Sequence, residues 1–153
     1  AFETALVCHF VFATRSARFG CPEITLGVFP PVLAVAGATR LGGALAERLL
    51  LTGEDIDAAA ADRAGFLAAI LDEGADPEEA LLAWYRTHLR PLSAFALREA
   101  TRAGRAGSAL ASALGAPLDE AERQYLERTL TSHDGNEGIE AFLARRAPVW
   151  TDR

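Results

Sequence analysis

The sequence predicts an α/β chain in two parts, a mixed segment over residues 1–71 and a helical segment over 72–153. Three observations carry that reading. His9-Phe10-Val11-Phe12-Ala13 and Phe66 to Leu71 are short runs of β-forming or apolar residues, too short for helices. Between them, proline, aspartate and glycine mark helix starts and stops at several places. From Asp76 onward the apolar residues follow helical spacing alone.

The elements follow in order. Ala1 to Val7 is apolar apart from Glu3 and Thr4 and reads as a core segment. His9–Ala13 is expected to be a buried strand, and Thr14 to Gly20 a polar turn. Pro22-Glu23 opens a new element, which Pro30-Pro31 brings to an end. The small apolar residues of Val32 to Ala38 suit a closely packed helix. After Gly42-Gly43, Ala44 to Leu51 reads as a helix stopped by Thr52-Gly53. Asp57 can cap a helix over Ala58 to Ala64, closed by Gly65.

In the second part, Asp76-Pro77-Glu78-Glu79 supplies a cap, a first-turn proline and two acids suited to a helix N-terminus. Leu81, Trp84, Tyr85, His88 and Leu89 continue that helix until Pro91. A second helix is expected over Leu92–Arg105, anchored by Phe95 and Leu97. Residues 104–117 read as looser. A third helix spans Leu118–Leu130, and a fourth spans Asn136–Arg146 with Ile139, Phe142 and Leu143 as its apolar stripe.

Composition narrows the function. A chain of 153 residues with half its residues hydrophobic has the balance of one globular domain. A net charge of -6 offers no basic excess for nucleic acid. All fifteen basic residues are arginine, so lysine Schiff-base chemistry is unavailable. Cys8 and Cys21 form no metal-ligand spacing and are expected to be buried thiols in a reducing compartment. No apolar run reaches membrane-spanning length, and a cytoplasmic location is the expectation. His9, His88 and His133 are scattered. His9 reads as a core histidine and His88 as packing. Trp84 and Trp150 read as packing anchors.

Two acids stand out. Glu3 is the main polar interruption of an apolar run, and Glu23 follows Cys21-Pro22. Two carboxyls brought together in a sheltered place can divide acid and base duties. From composition alone both would be read as surface acids.

The local frames change that judgement. Phe2-Glu3-Thr4-Ala5, Ala17-Arg18-Phe19-Gly20, Pro22-Glu23-Ile24-Thr25-Leu26-Gly27, Arg40-Leu41, Leu51-Thr52-Gly53 and Asp62-Arg63-Ala64-Gly65 resemble, in the same order, motifs of the crotonase superfamily, the enoyl-CoA hydratase/isomerase proteins. Glu137 to Arg146 is similar to that family's closing helix. His9, the Gly27-Val28-Phe29-Pro30-Pro31 loop and the ending from His133 to Trp150 lean toward the cyclic-dienoyl-CoA hydratases of aromatic degradation.

The resemblance implies a crotonase-like fold lacking its N-terminal β-rich half, with the helical segment as an oligomerisation region. Family chains carry that β-rich half upstream, where it supplies oxyanion-hole amides and much of the coenzyme A pocket. The chain is therefore expected to be the C-terminal portion of such a protein. The resemblance implies that Glu3 orients and deprotonates water and that Glu23 exchanges the proton at the α carbon. It implies substrate contact for Phe29, Pro31 and Val32 around the acyl group, and for Phe142 and Arg145 toward coenzyme A. The implied partners are an acyl-CoA thioester and further copies of the chain in a trimer or hexamer. No cofactor is expected beyond the coenzyme A of the substrate, and no metal. An enoyl-CoA isomerase, a ring-opening hydrolase and a catalytically incomplete oligomerising fragment remain as alternatives.

Overall fold

The computed structural model describes residues 1–152. The apolar opening run is a helix, α1 (Phe2–Val7), which buries Phe2 and Leu6. Cys8 leaves helical geometry with φ -74° and ψ 151°, and the chain turns outward through Cys8, His9 and Phe10, all exposed. The expected strand at His9–Ala13 is therefore displaced. Strand β1 is Phe12–Thr14, and His9 is not a core histidine. Aromatic contact explains the outward turn, since the Phe10 and Trp84 rings lie 4.6 Å apart.

Strand β2 (Arg18–Gly20) lies where only a turn was expected. It pairs antiparallel with β3 (Asp55–Asp57), Arg18 opposite Asp57. Arg18 donates from Nε at 3.1 Å and Nη2 at 2.7 Å to the Asp55 carboxylate across the pair. Three-residue strands with charged ends carry no alternation, so the pairing is invisible locally. Strand β4 (Ala69–Leu71) pairs in parallel with β1, Phe12 opposite Ala69.

The intervening helices match their sequence signals closely. A 3₁₀ helix over Pro22–Leu26 ends at Gly27 with φ 72°. Helix α2 (Pro31–Leu41) follows the paired prolines, and α3 (Gly43–Thr52) stops at Gly53 with φ 68°. Helix α4 (Ala58–Arg63) is capped by Asp57, whose carboxylate accepts from the Ala60 amide at 2.7 Å. Helices α2 and α3 approach closely at Gly37. A Cβ there would come 2.8 Å from Leu33 Cδ1 and 3.1 Å from Ala46 Cβ.

The core centres on Phe2, Phe19 and Phe66, whose ring centroids are 5.7 to 5.8 Å apart in tilted and edge-on contacts. Leu6, Leu33 and Leu49 are fully buried around them. Each such leucine contributes roughly 1.5–3 kcal/mol relative to exposure.

The tail comprises α5 (Pro77–His88), α6 (Ala94–Arg105), α7 (Ala109–Ala113), α8 (Ala116–Gln124), a π turn over Tyr125–Thr129, and α9 (His133–Leu143). Asp76 caps α5 as expected, accepting from the Glu78 amide at 2.9 Å. Helix α7 falls in the stretch read as loose, and the expected third helix is interrupted by the π turn. Helices α7 and α8 pack on α2, α5 packs on β1, and α9 packs on the 3₁₀ helix.

The expected apolar stripes of the tail are corrected. Leu81, Phe95, Ile139, Phe142 and Leu143 are exposed, whereas Gly135, Gly138 and Ala141 are buried. Close approach of backbones selects small residues on the inward face. A Cβ on Gly138 would overlap the Leu26 carbonyl oxygen. Among the described residues, no helix is long and apolar enough to cross a membrane.

Candidate active site

The candidate residues sit on α1, on the 3₁₀ helix and at the start of α2, and α1 packs against α2. Glu3 stands in the first turn of α1. Its Oε1 accepts from the amides of Val32 at 2.7 Å and Leu33 at 2.9 Å. These are first-turn donors of α2, left without partners inside their own helix. Pro30 and Pro31 have no N–H, and the N-cap Pro30 contributes no side-chain cap. The first free donors are therefore Val32 and Leu33, and a carboxylate from 29 residues upstream takes both. The positive end of α2 favours the negative charge placed there. Sequence reading used the prolines only as a helix break; their second effect is to hand two donors to Glu3.

Glu23 lies in the first turn of the 3₁₀ helix and is half-buried. Its Oε2 is buried with no hydrogen-bond partner among the described residues. Such an oxygen is costly to hold, by about 1–3 kcal/mol or more, and calls for a reason.

Cys21 stands at the N-cap position of the 3₁₀ helix and is only 2% exposed. Burial pushes its thiol up to about 12, and the charges of Glu23 and then Glu3 add to the shift. The sequence reading placed both thiols in the interior, which holds for Cys21, whereas Cys8 is exposed. Cys8 sits at the frayed end of α1, where its Sγ donates to the Thr4 carbonyl at 3.4 Å.

The other expected site residues fall into two groups. Pro31 and Val32 form the first turn of α2 beside Glu3, both half-buried. Phe29 is half-buried against Tyr125, their rings edge-on at 5.8 Å. Phe142 on α9 is exposed, and Arg145 just beyond it adopts φ 53°. Neither is brought against the two acids. Phe29 also borders an open cavity of about 440 Å³ lined by Gln124, Arg128, Thr129, Ser132 and Asp134. That cavity contains neither glutamate. Proton transfer needs positioned carboxyls, and the cavity lacks both of the sequence-predicted ones.

Of the two carboxyls, one is gripped by a helix terminus and the other keeps a buried, unpaired oxygen. The enoyl-CoA hydratase/isomerase family model matches residues 1–153, and the chain belongs to that family. It is 41% identical over 151 residues to a cyclohexa-1,5-dienecarbonyl-CoA hydratase of Thauera aromatica, covering 99% of this chain and 57% of that protein. It is 37% identical over 156 residues to a 2,3-dehydroadipyl-CoA hydratase of Escherichia coli K12, covering 99% and 58%. Among solved structures, EchA1_1 from Mycobacterium paratuberculosis superposes with a TM-score of 0.88 at 28% identity, over 99% of this chain and 57% of that one. A carnitinyl-CoA hydratase from Mycobacterium avium gives 0.85 at 29% identity, over 97% and 57%. The crotonase-type α/β fold expected from the sequence is thereby established, and the chain spans somewhat more than half the length of these relatives.

Proposed function

We propose that this chain carries the proton-transferring carboxyls of an enoyl-CoA hydratase, a lyase that adds water across a double bond conjugated to a thioester. The observation that supports the reading is a pair of carboxyls on separate elements, Glu3 held by the Val32 and Leu33 amides and Glu23 with a buried, unpartnered oxygen. Glu3, held through Oε1 by two amides, keeps Oε2 for a water molecule. It takes a proton as the water oxygen bonds to the β carbon. Glu23 delivers a proton to the α carbon through its unpartnered oxygen. One proton is gained and one given, so the hydrated thioester is neutral overall. Negative charge that develops on the thioester oxygen needs backbone N–H donors, which the resemblance assigns to the family's β-rich half.

Phe29, Pro31 and Val32 form the wall toward the acyl group, and Phe142 and Arg145 reach for coenzyme A. An arginine suits the phosphates of that group. The 41% identity to a cyclohexa-1,5-dienecarbonyl-CoA hydratase supports a cyclic dienoyl-CoA as substrate. Bond migration or ring opening on the same scaffold would use the same Glu23 chemistry. Product analysis separates them, because only hydration adds one water as an alcohol, with one fewer C=C and the ring intact.

The test is Glu23→Gln in the complete protein, followed by hydration of a dienoyl-CoA and a linear enoyl-CoA. Loss of a positioned proton donor is expected to lower kcat by about 100-fold or more. A rate near that of the unmodified protein would remove Glu23 from the mechanism.

A further inference from the structure

The 3₁₀ helix that carries Glu23 is short and weakly hydrogen-bonded, with Gly27 donating to the Ile24 carbonyl at 3.2 Å and Val28 to the Glu23 carbonyl at 3.3 Å. Five residues of 3₁₀ helix do not fix a side chain by themselves. Two other segments press on it. Helix α9 lies against it through Gly138, whose Cα faces the Leu26 carbonyl too closely for any side chain. At the next residue, a Cβ on Gly27 would come 2.5 Å from the Asp134 carbonyl oxygen and 3.1 Å from Cζ3 of Trp150.

Trp150 belongs to the segment after α9. Arg145, at φ 53°, turns the chain, and residues 147–152 run back along the helix. Two α9 carboxylates hold them there. Asp134 accepts from the Thr151 amide at 2.8 Å, the Thr151 hydroxyl at 3.0 Å and the Asp152 amide at 2.8 Å. Glu137 accepts from the Val149 amide at 2.8 Å and from Arg146 Nη2 at 2.9 Å. Six residues with no regular structure are thus fixed at both ends of a span centred on Trp150.

We propose that this C-terminal strap is a brace for the Glu23 element, with Trp150 and Gly138 as positioning residues that set the carboxyl of Glu23 through Gly27 and Leu26. The proposal rests on the hydratase reading for its catalytic consequence, but the brace itself does not. Trp150 is 44% exposed, so its removal leaves the core intact.

The experiment compares the complete protein with its Trp150→Ala and Trp150→Phe variants by two readouts. Hydrogen exchange at the Gly27 and Val28 amides reports the 3₁₀ helix directly and needs no activity. Trp150→Ala is expected to lose tenfold or more of that protection, and Trp150→Phe less than threefold. Hydration kinetics are expected to show a tenfold fall in kcat with KM within twofold for Trp150→Ala, largely restored in Trp150→Phe. Unchanged protection at both amides in Trp150→Ala overturns the brace. Lost protection with unchanged kcat overturns its catalytic role. If the unmodified protein hydrates no enoyl-CoA, the hydratase reading fails, and the exchange measurement still decides the brace.

Discussion

At the residue scale, single groups acquire their properties from what surrounds them. Glu3 would be an ordinary acid in isolation; two amides of α2 convert it into an oriented one. Cys8 and Cys21 are the same residue type with opposite fates, one exposed and one buried. Their reactivity should differ accordingly, because the thiolate is the nucleophile. With iodoacetamide near pH 8, native protein is expected to be alkylated at Cys8 at least tenfold faster than at Cys21, as read by peptide mass mapping. Equal rates would contradict the burial of Cys21. The two acids stood out in the sequence through their frames. The grip of the α2 amides on Glu3 did not, since Val32 and Leu33 lie 29 and 30 positions away.

At the element scale, most caps and glycine stops were read correctly because they act within a few residues. Asp57, Asp76, Gly53 and Gly65 each end or begin an element within reach of their own side chain or φ. The element opened by Pro22-Glu23 was expected to run to Pro30-Pro31 but stops earlier, at Gly27 with φ 72°. Strands β2 and β3 were missed because each exists only through the other. The inward face of α9 was misread for a related reason: Gly138 faces a neighbouring backbone and Ala141 is buried beside it on the helix, so smallness counted for more than hydrophobicity. The strap behind α9 carries a pH prediction. Hydrogen bonds from Thr151 hold the Asp134 carboxyl at about 2, below its ordinary 3.8. Arg146 and then the Val149 amide hold Glu137 at about 2, below 4.5. His133 at 3.1 Å from Asp134 Oδ1 and Glu140 near Arg146 are the other charged groups at this place. Both folded values are depressed, so the stabilisation is complete above about pH 5 and is lost as pH falls toward 2. Protection factors of the Val149, Thr151 and Asp152 amides, measured from pH 5 to 2, should fall over that window. Constant protection to pH 2 would show that the carboxylates do not hold the strap.

At the scale of the whole molecule, the tail leaves large apolar groups in water. Leu143 is 75% exposed, Phe95 66%, and Phe142 66%. Large apolar side chains left exposed on the tail helices mark surfaces that associate. We expect the complete protein to form a homo-oligomer, a trimer or a pair of trimers, with closed symmetry. Sedimentation equilibrium tests this, and a monomer at micromolar concentration would count against it.

The order of signals along the chain determined the family and most of its helix starts and stops, because capping, breaking and motif spacing are local facts. Only the tertiary structure decided that Val32 and Leu33 hold Glu3 and that the last residues return to press on Gly27. Each of those depends on backbone groups far apart in sequence meeting within a few ångströms, and side-chain patterns do not record where a neighbour's N–H or C=O will be.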